Sequence, residues 1–173
     1  MKSCAFIGGQ PADFFFRNNE LHPLCQNIKD SLLEQAKARY QNGVRRFYVG
    51  GALGTDMWAG EAVLSMKESP EYPGIELVCN IPFEGHNSEW GDDSVTRYER
   101  LLSACDDKQA ISHSSDRSAY EKRYFQIVDQ SQTVIAVCRR VHDKHSDAEA
   151  ALEYAAKQNK ELTVIHPETA EIS

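Results

Sequence analysis

The residues best suited to chemistry lie in one run, Phe47-Tyr48-Val49-Gly50-Gly51-Ala52-Leu53-Gly54-Thr55-Asp56-Met57-Trp58-Ala59-Gly60-Glu61. It reads as a buried strand, a glycine turn and the opening turns of a helix. Gly50, Gly51 and Gly54 give the backbone a freedom that other residues lack. Thr55 and Asp56 are types that cap helix N-termini. Such a turn aims backbone N–H groups and the positive end of a helix at one spot, which suits a phosphate or another anion. The same pattern also makes ligand-free βα turns, so the loop alone leaves both readings open. Glu61 follows Asp56 by about one and a half helical turns and shares a face with Met57. A carboxylate beside a bound sugar hydrogen-bonds ribose hydroxyls or acts as a general base, which makes Glu61 and Asp56 the candidate catalytic residues. The plainer alternatives are a solvent-facing helix glutamate and an N-cap worth about 1 kcal/mol.

The two tryptophans, Trp58 and Trp90, stand beside proposed loops, where stacking on a base and packing in the core are equally open readings. His113, His142 and His145 share no ligand spacing with one another or with an acidic pair. Cys4, Cys25, Cys79, Cys105 and Cys138 are odd in number and show no C-x-x-C spacing, which favours reduced, mostly buried thiols over a metal or disulfide framework. No G-x-S-x-G elbow, Walker A loop or G-x-G-x-x-G is present, so nothing supports hydride transfer or a kinase.

The elements that must position these residues alternate along the chain. Strands are expected at 4–7, 46–49, 75–81, 108–111, 133–138 and 162–165, with the third stopped by Pro82. Helices are expected at 21–42, 55–67, 94–104, 120–131 and 146–159. The three aromatics Phe14, Phe15 and Phe16 read as a plug at the core edge, and Pro167 to Ser173 as a frayed tail. Alternating elements with short, continuously apolar strands predict an α/β fold: one domain over residues 1–173, with a mainly parallel sheet and helices on both faces. In such a sheet the ligand crevice lies at the carboxyl ends of the strands, near the reversal of strand order. That rule collects Gly8 to Pro11, Gly50 to Thr55, Pro82 to Trp90 and Arg139 to Ser146 on one edge.

With 173 residues the chain has the length for one substantial core. A net charge of -7 argues against a dedicated nucleic-acid or anionic-membrane partner. No basic leader precedes an apolar run, and no segment approaches the roughly 20 apolar residues of a membrane span, so a cytoplasmic location is expected. Parallel α/β domains of this size often self-associate, which makes a homodimer or higher homo-oligomer a further expectation, though no interface is legible.

Three motifs in order, Gly8-Gly9-Gln10-Pro11, the run from Gly50 to Glu61, and Ile81-Pro82-Phe83 with Trp90 and Tyr98, resemble the YpsA-like branch of the SLOG superfamily. Arg123-Tyr124-Phe125-Gln126-Ile127-Val128-Asp129 before an apolar strand also fits, and the similarity spans nearly the whole chain. The resemblance implies a three-layer Rossmann-like fold that binds a nucleotide or nucleotide-derived small molecule at the strand carboxyl ends, as sensor or carrier. No other cofactor is identified. The implied contacts are Gly8, Gly9, Gln10, Gly50, Gly51, Leu53, Gly54, Thr55, Trp58, Pro82, Phe83, Trp90 and Arg123. Of these, Arg123 is the best cationic contact for a phosphate, since its fork of donors suits oxyanions. The chain departs from the branch at Gln10, where a basic residue is common, and at Tyr124, where asparagine usually follows the arginine. The Pro-Gly-Gly-x-Gly-Thr-x-x-Glu loop of the LOG phosphoribohydrolases has no counterpart in Arg139 to Glu149, which holds no glycine. Their reaction is therefore not carried over. The alternatives are a hydrolase of an N-glycosidic or phosphate bond, and an interaction module whose pocket is vestigial.

Overall fold

The computed structural model describes residues 1–113, 115–140 and 146–173. Six strands, β1 (Ser3–Gly8), β2 (Arg46–Val49), β3 (Glu76–Phe83), β4 (Asp107–Ser112), β5 (Thr133–Val137) and β6 (Glu161–Ile165), form one sheet in the order β4-β3-β2-β1-β5-β6. Every pairing is parallel. The helices are α1 (Pro23–Gln41), α2 (Thr55–Lys67), α3 (Asp92–Ala104), α4 (Ala119–Asp129) and α5 (Asp147–Lys157). The expected α/β fold is therefore present, and the sheet is wholly rather than mainly parallel. No described helix is long and apolar enough to cross a membrane.

Successive side chains of a strand point to opposite faces, and the central strands are apolar on both. Phe6, Phe47, Leu77, Cys79 and Ile135 join one core with α1, α2 and α3 residues such as Ile28, Met57 and Leu101. Ala5, Ile7, Tyr48, Val134 and Ala136 join a second with α4 and α5 through Ile127, Val128, Ala151 and Leu152. Strand order reverses between β1 and β5, which are direct neighbours. The crevice predicted for such a fold belongs beyond their carboxyl ends.

Three local expectations need correction. Strand β3 runs through Pro82 to Phe83 instead of stopping at the proline. Its pairing with β2 ends at Val49↔Cys79, so Pro82 lies where β3 has a neighbour on one side only, a position that tolerates a missing N–H. The C-terminal tail is not frayed: Ser173 and Val164 exchange two backbone hydrogen bonds of 2.9 Å, and the His166 N–H donates to the Glu171 carbonyl at 2.8 Å. The tail thus covers the outer edge of β6, an edge that would otherwise present unpaired backbone groups. Of the aromatic plug, Phe14 and Phe16 are buried and Phe15 is 66% exposed.

Candidate functional site

The turn after β2 folds as its glycines demand, but it folds inward. Gly51 and Gly54 have φ of 76° and 82°, in the left-handed region that favours glycine. Gly54 caps α2 without any side-chain bond, so neither Thr55 nor Asp56 is the N-cap. A Cβ at Gly54 would lie 2.7 Å from the Gly9 carbonyl oxygen, and one at Gly51 2.8 Å from Ile81. The Thr55 N–H and hydroxyl both donate to that same Gly9 carbonyl, at 3.1 and 3.0 Å. The helix end expected to meet an anion is thereby joined to the β1 loop.

Asp56 is 1% exposed and sits at the centre of a buried cluster. It accepts from the Ala52 N–H at 3.1 Å, from the Arg123 guanidinium at 3.2 Å and from the Tyr124 hydroxyl at 3.0 Å. Arg123 also donates through Nε to the Gly50 carbonyl at 2.8 Å and through a terminal nitrogen to the Tyr120 carbonyl. Its guanidinium lies 4.1 Å over the Tyr124 ring. The Tyr124 hydroxyl stands 3.0 Å from the Gly8 carbonyl as well. Burial pushes the Asp56 carboxyl above the usual aspartate range, opposed by Arg123 and the Ala52 N–H. Arg123 loses hydration too, but Tyr124 and Asp56 keep it firmly cationic. One arginine and one aspartate therefore tie the ends of β1 and β2 to α4.

The open space lies next to this cluster, at the β1/β5 switch. A crevice of about 450 Å³ is lined by Gly8, Gly9 and Gln10 of the β1 loop, by Ala12 and Asp13, by Arg117, Tyr120, Arg123 and Tyr124, and by Ser146, Asp147 and Ala148 at the start of α5. Ser146 caps α5, its side chain accepting from the Glu149 N–H at 3.2 Å. That cap takes the Glu149 N–H, while the N–H groups of Asp147 and Ala148 ahead of it have no partner among the described residues. Arg117 is exposed, and no described residue pairs with its guanidinium. The crevice carries carboxylates as well, from Asp13, which accepts from the Gln10 N–H at 2.8 Å, and from Asp147.

Of the residues proposed from the sequence, Gly8, Gly9, Gln10 and Arg123 meet at this crevice. Gly50, Gly51, Leu53, Gly54 and Thr55 lie beside it in the closed turn and do not line it. Trp58 is 2% exposed in the core, its ring 5.3 Å from Phe14 and 6.0 Å from Phe16, and it does not line the crevice. Pro82 is buried in β3. Phe83 and Trp90 belong to an aromatic group around His86, which bonds the Tyr98 hydroxyl at 2.9 Å and touches Tyr120 edge-on. Burial and the charge of Arg123 hold His86 down at about 4, so its ring is neutral near pH 7. Asp56 is committed to the clamp. Glu61 lies elsewhere, on the α1–α3 face, where Arg97 donates to it at 2.6 Å and also grips Glu20 through two nitrogens. The candidate catalytic carboxylates thus do not meet at the crevice.

His142 and His145 lie outside the described residues, as does most of the 139–145 loop. Among the described residues no group of His, Cys, Asp and Glu could hold a metal. All cysteines are free, and burial pushes Cys4 up to about 11 and Cys138 up to about 12, which makes them inert packing thiols. The sequence reading missed Asp13, Arg117, Tyr120 and Asp147. Ser146-Asp147-Ala148-Glu149 has the S-x-x-E form of a capping box and marks a helix start at the functional edge. No comparable signal marks Arg117, a single cation in a polar connection.

Similarity to known proteins agrees with this architecture. Curated relatives include the UPF0398 protein of Bacillus pumilus, 26% identical over 148 residues, covering 83% of this chain and 76% of the relative. The UPF0398 protein of Levilactobacillus brevis is 28% identical over 142 residues, covering 80% and 74%. Among solved structures, DNA processing protein A (DprA) of Streptococcus pneumoniae superposes with a TM-score of 0.60 at 12% identity, over 95% of this chain and 50% of that one. DprA of Helicobacter pylori, described in a single-stranded DNA binding mode, gives 0.58 at 18% identity, over 94% and 64%. This chain thus spans half to about two thirds of those proteins, and at such identities the likeness is one of fold. The model of the YspA SLOG family (YpsA) matches residues 4–170, nearly the whole chain, and the protein belongs to that family.

Proposed function

We propose that the protein binds a nucleotide or nucleotide-derived small molecule in the crevice between the carboxyl ends of β1 and β5. The observation that carries this reading is an open crevice of about 450 Å³ lined both by Arg117, which pairs with no described residue, and by the N-terminus of α5. A guanidinium and the free N–H groups of a helix start are complementary to a phosphate. Tyr120 supplies an aromatic ring beside them, and Asp13 and Asp147 supply acceptors for ribose hydroxyls. The crevice lies at the switch point, where open parallel sheets hold their ligands. Binding is favoured over hydrolysis because Glu61 is on another face and Asp56 is held by Arg123.

The test is calorimetry of the intact chain against nucleoside mono- and diphosphates, with free base and phosphate assayed after incubation. Saturable binding without turnover is the expected result, and silence across the panel with folded protein overturns the reading. A short single-stranded oligonucleotide is the comparison ligand, since one DprA relative by fold is described with single-stranded DNA. Binding of that strand without binding of mononucleotides would move the function to nucleic acid, against the steering expected from a net charge of -7.

A further inference from the structure

Among the described residues four large hydrophobic side chains are exposed, and two of them, Met1 and Ile172, are at the chain ends. The other two, Phe15 at 66% and Leu21 at 94%, lie in the segment that leads from β1 into α1. Leu21 stands between two anchored residues. The Glu20 carboxylate before it is gripped by Arg97 at 2.6 and 3.0 Å and by Lys29 at 2.7 Å. His22 after it caps α1, its Nδ1 accepting from the Leu24 N–H at 3.1 Å. The His22 ring also meets Phe15 edge-on, with ring centres 4.9 Å apart. A large apolar side chain is thus held out into solvent in a fixed place. Holding it there in advance lowers the entropy lost when a partner buries it.

The two cations that anchor Glu20 also line a hollow of about 220 Å³ between α1, α2 and α3. Its apolar lining comes from Leu33, Trp58 and Ala62. Its charged residues are two of each sign, Lys29 and Arg97 against Asp30 and Glu61, and Glu20 at the rim is already held by both cations. We propose that two copies of the chain meet at this face, the Leu21 side chain of each entering the hollow of the other. The occupant is a second copy because the exposed leucine and the hollow are carried side by side on one chain. A twofold axis between them makes both insertions at once, which is the self-complementary patch of a C2 dimer. A net charge of -7 sets two copies against each other over most of their surface. Here the charges lining the hollow cancel, and the residue that enters it is neutral. None of the residues lining this hollow lines the crevice between β1 and β5, so the dimer and the nucleotide reading stand or fall separately.

Sedimentation velocity of the intact chain over a range of micromolar concentrations compares the natural sequence with Leu21→Asp, Leu21→Met and Ala62→Lys. The natural chain is expected to show a concentration-dependent equilibrium of monomer and dimer. Leu21→Asp takes two buried leucines from each dimer, and Ala62→Lys puts a charge into each hollow. Each weakens the dimer by about a hundredfold, whereas Leu21→Met, which keeps size and apolarity, holds it within about tenfold. An equimolar mixture of Leu21→Asp and Ala62→Lys keeps one natural insertion and sets an aspartate against a lysine at the other, so it dimerises more strongly than either variant alone. Circular dichroism shows that each variant is folded; both changed positions reach solvent, which favours folding. A natural chain that is monomeric at every concentration overturns the proposal. So does a dimer that survives Leu21→Asp or Ala62→Lys unweakened, or a mixture no stronger than its parts.

Discussion

Two glycine-bearing turns leave neighbouring strands at the same edge of the sheet and end in opposite states. The turn after β2 holds three glycines and a helix start, yet the N–H groups of Ala52 and Thr55 and the Asp56 carboxylate are consumed by the protein itself. The turn after β1 has a less suggestive sequence, and it borders open space. The difference comes from strand order. Between β2 and β1 the sheet runs on without reversal, so α2 packs directly against the β1 loop, and Gly8 must lack a side chain because a Cβ there would lie 2.4 Å from Thr55. Between β1 and β5 the order reverses and the following helices diverge to opposite faces, leaving a gap. Glycines permit close approach in both turns, Gly8 against Thr55 and Gly9 against Asp13 and Phe14, so the open space comes from strand order and not from the glycines.

The clamp beneath the closed turn is where the largest effect is expected. Asp56→Ala strands the Arg123 guanidinium in the core without its counter-ion, a change that costs about 3–5 kcal/mol. Denaturant unfolding measures it. A cost under about 1 kcal/mol would show that the turn is held by its glycines and not by the pair. Pairing Asp56→Leu with Arg123→Met should recover part of the loss, because apolar replacement of a whole buried pair is often near neutral. Next in size is Gly54→Ala, which adds a clash with the Gly9 carbonyl to the strain of a positive φ, about 1–3 kcal/mol together. Gly43→Ala is its control: φ is 96° there, but nothing lies within 4 Å, so only the strain remains. Equal costs at the two positions would mean that the closed turn is not tightly packed.

How far this contrast was legible in the sequence depends on what kind of information each residue carries. The limits of α2, Thr55 to Lys67, follow from local signals, a glycine before and prolines beyond, and the structure reproduces them. The strands were legible because burial on both faces leaves continuous apolar runs. The closing of the Gly50–Thr55 turn was not legible, because it depends on which carbonyl or side chain takes each N–H, and those partners lie 46 residues away at Gly9 and 67 away at Arg123. Arg123, offered as a phosphate contact, lines the crevice, but its burial comes from long-range packing against Tyr124 and Asp56. Arg117 carries no local pattern, and only the fold reveals that it lines one crevice with the start of α5. The docked tail was misread for the same reason: its short polar run gains structure only by bonding to β6.

The open side of the comparison is sharpened by Arg117→Ala. If this arginine is a ligand contact and nothing else, nucleotide affinity falls about tenfold, or 1.4 kcal/mol. Stability, read by thermal unfolding, should stay within about 0.5 kcal/mol of the natural sequence. A loss of stability instead would make Arg117 a structural neighbour of α4. Acid separates the closed region from a third one, the α1–α3 face. Glu20 is partly buried, which alone would raise its carboxyl, but hydrogen bonds from Arg97 and Lys29 bring it down to about 2. A carboxyl lower in the fold than in the unfolded chain adds stability above its ordinary value of 4.5, and that stability is lost as pH falls from there toward about 2. Glu20→Gln should flatten this part of the pH–stability curve, and an unchanged curve would place the acid sensitivity elsewhere.

The smallest expected effect is the one that most directly tests which carboxylates matter. Glu61 is, with Asp56, one of the two catalytic candidates from the sequence, and its side chain is 45% exposed in an ion pair with Arg97. Exposed pairs of this kind are worth about 0–1 kcal/mol, and Arg97 keeps its two bonds to Glu20 when Glu61 is neutralised. Glu61→Gln is therefore expected to leave both unfolding and nucleotide affinity nearly unchanged. A large loss of affinity would have a definite meaning. Glu61, Trp58, Lys29 and Arg97 line a separate hollow of about 220 Å³ between α1, α2 and α3, and such a loss would move the ligand there. The contrast that matters would then be between the two faces of the sheet, not between two turns on one edge.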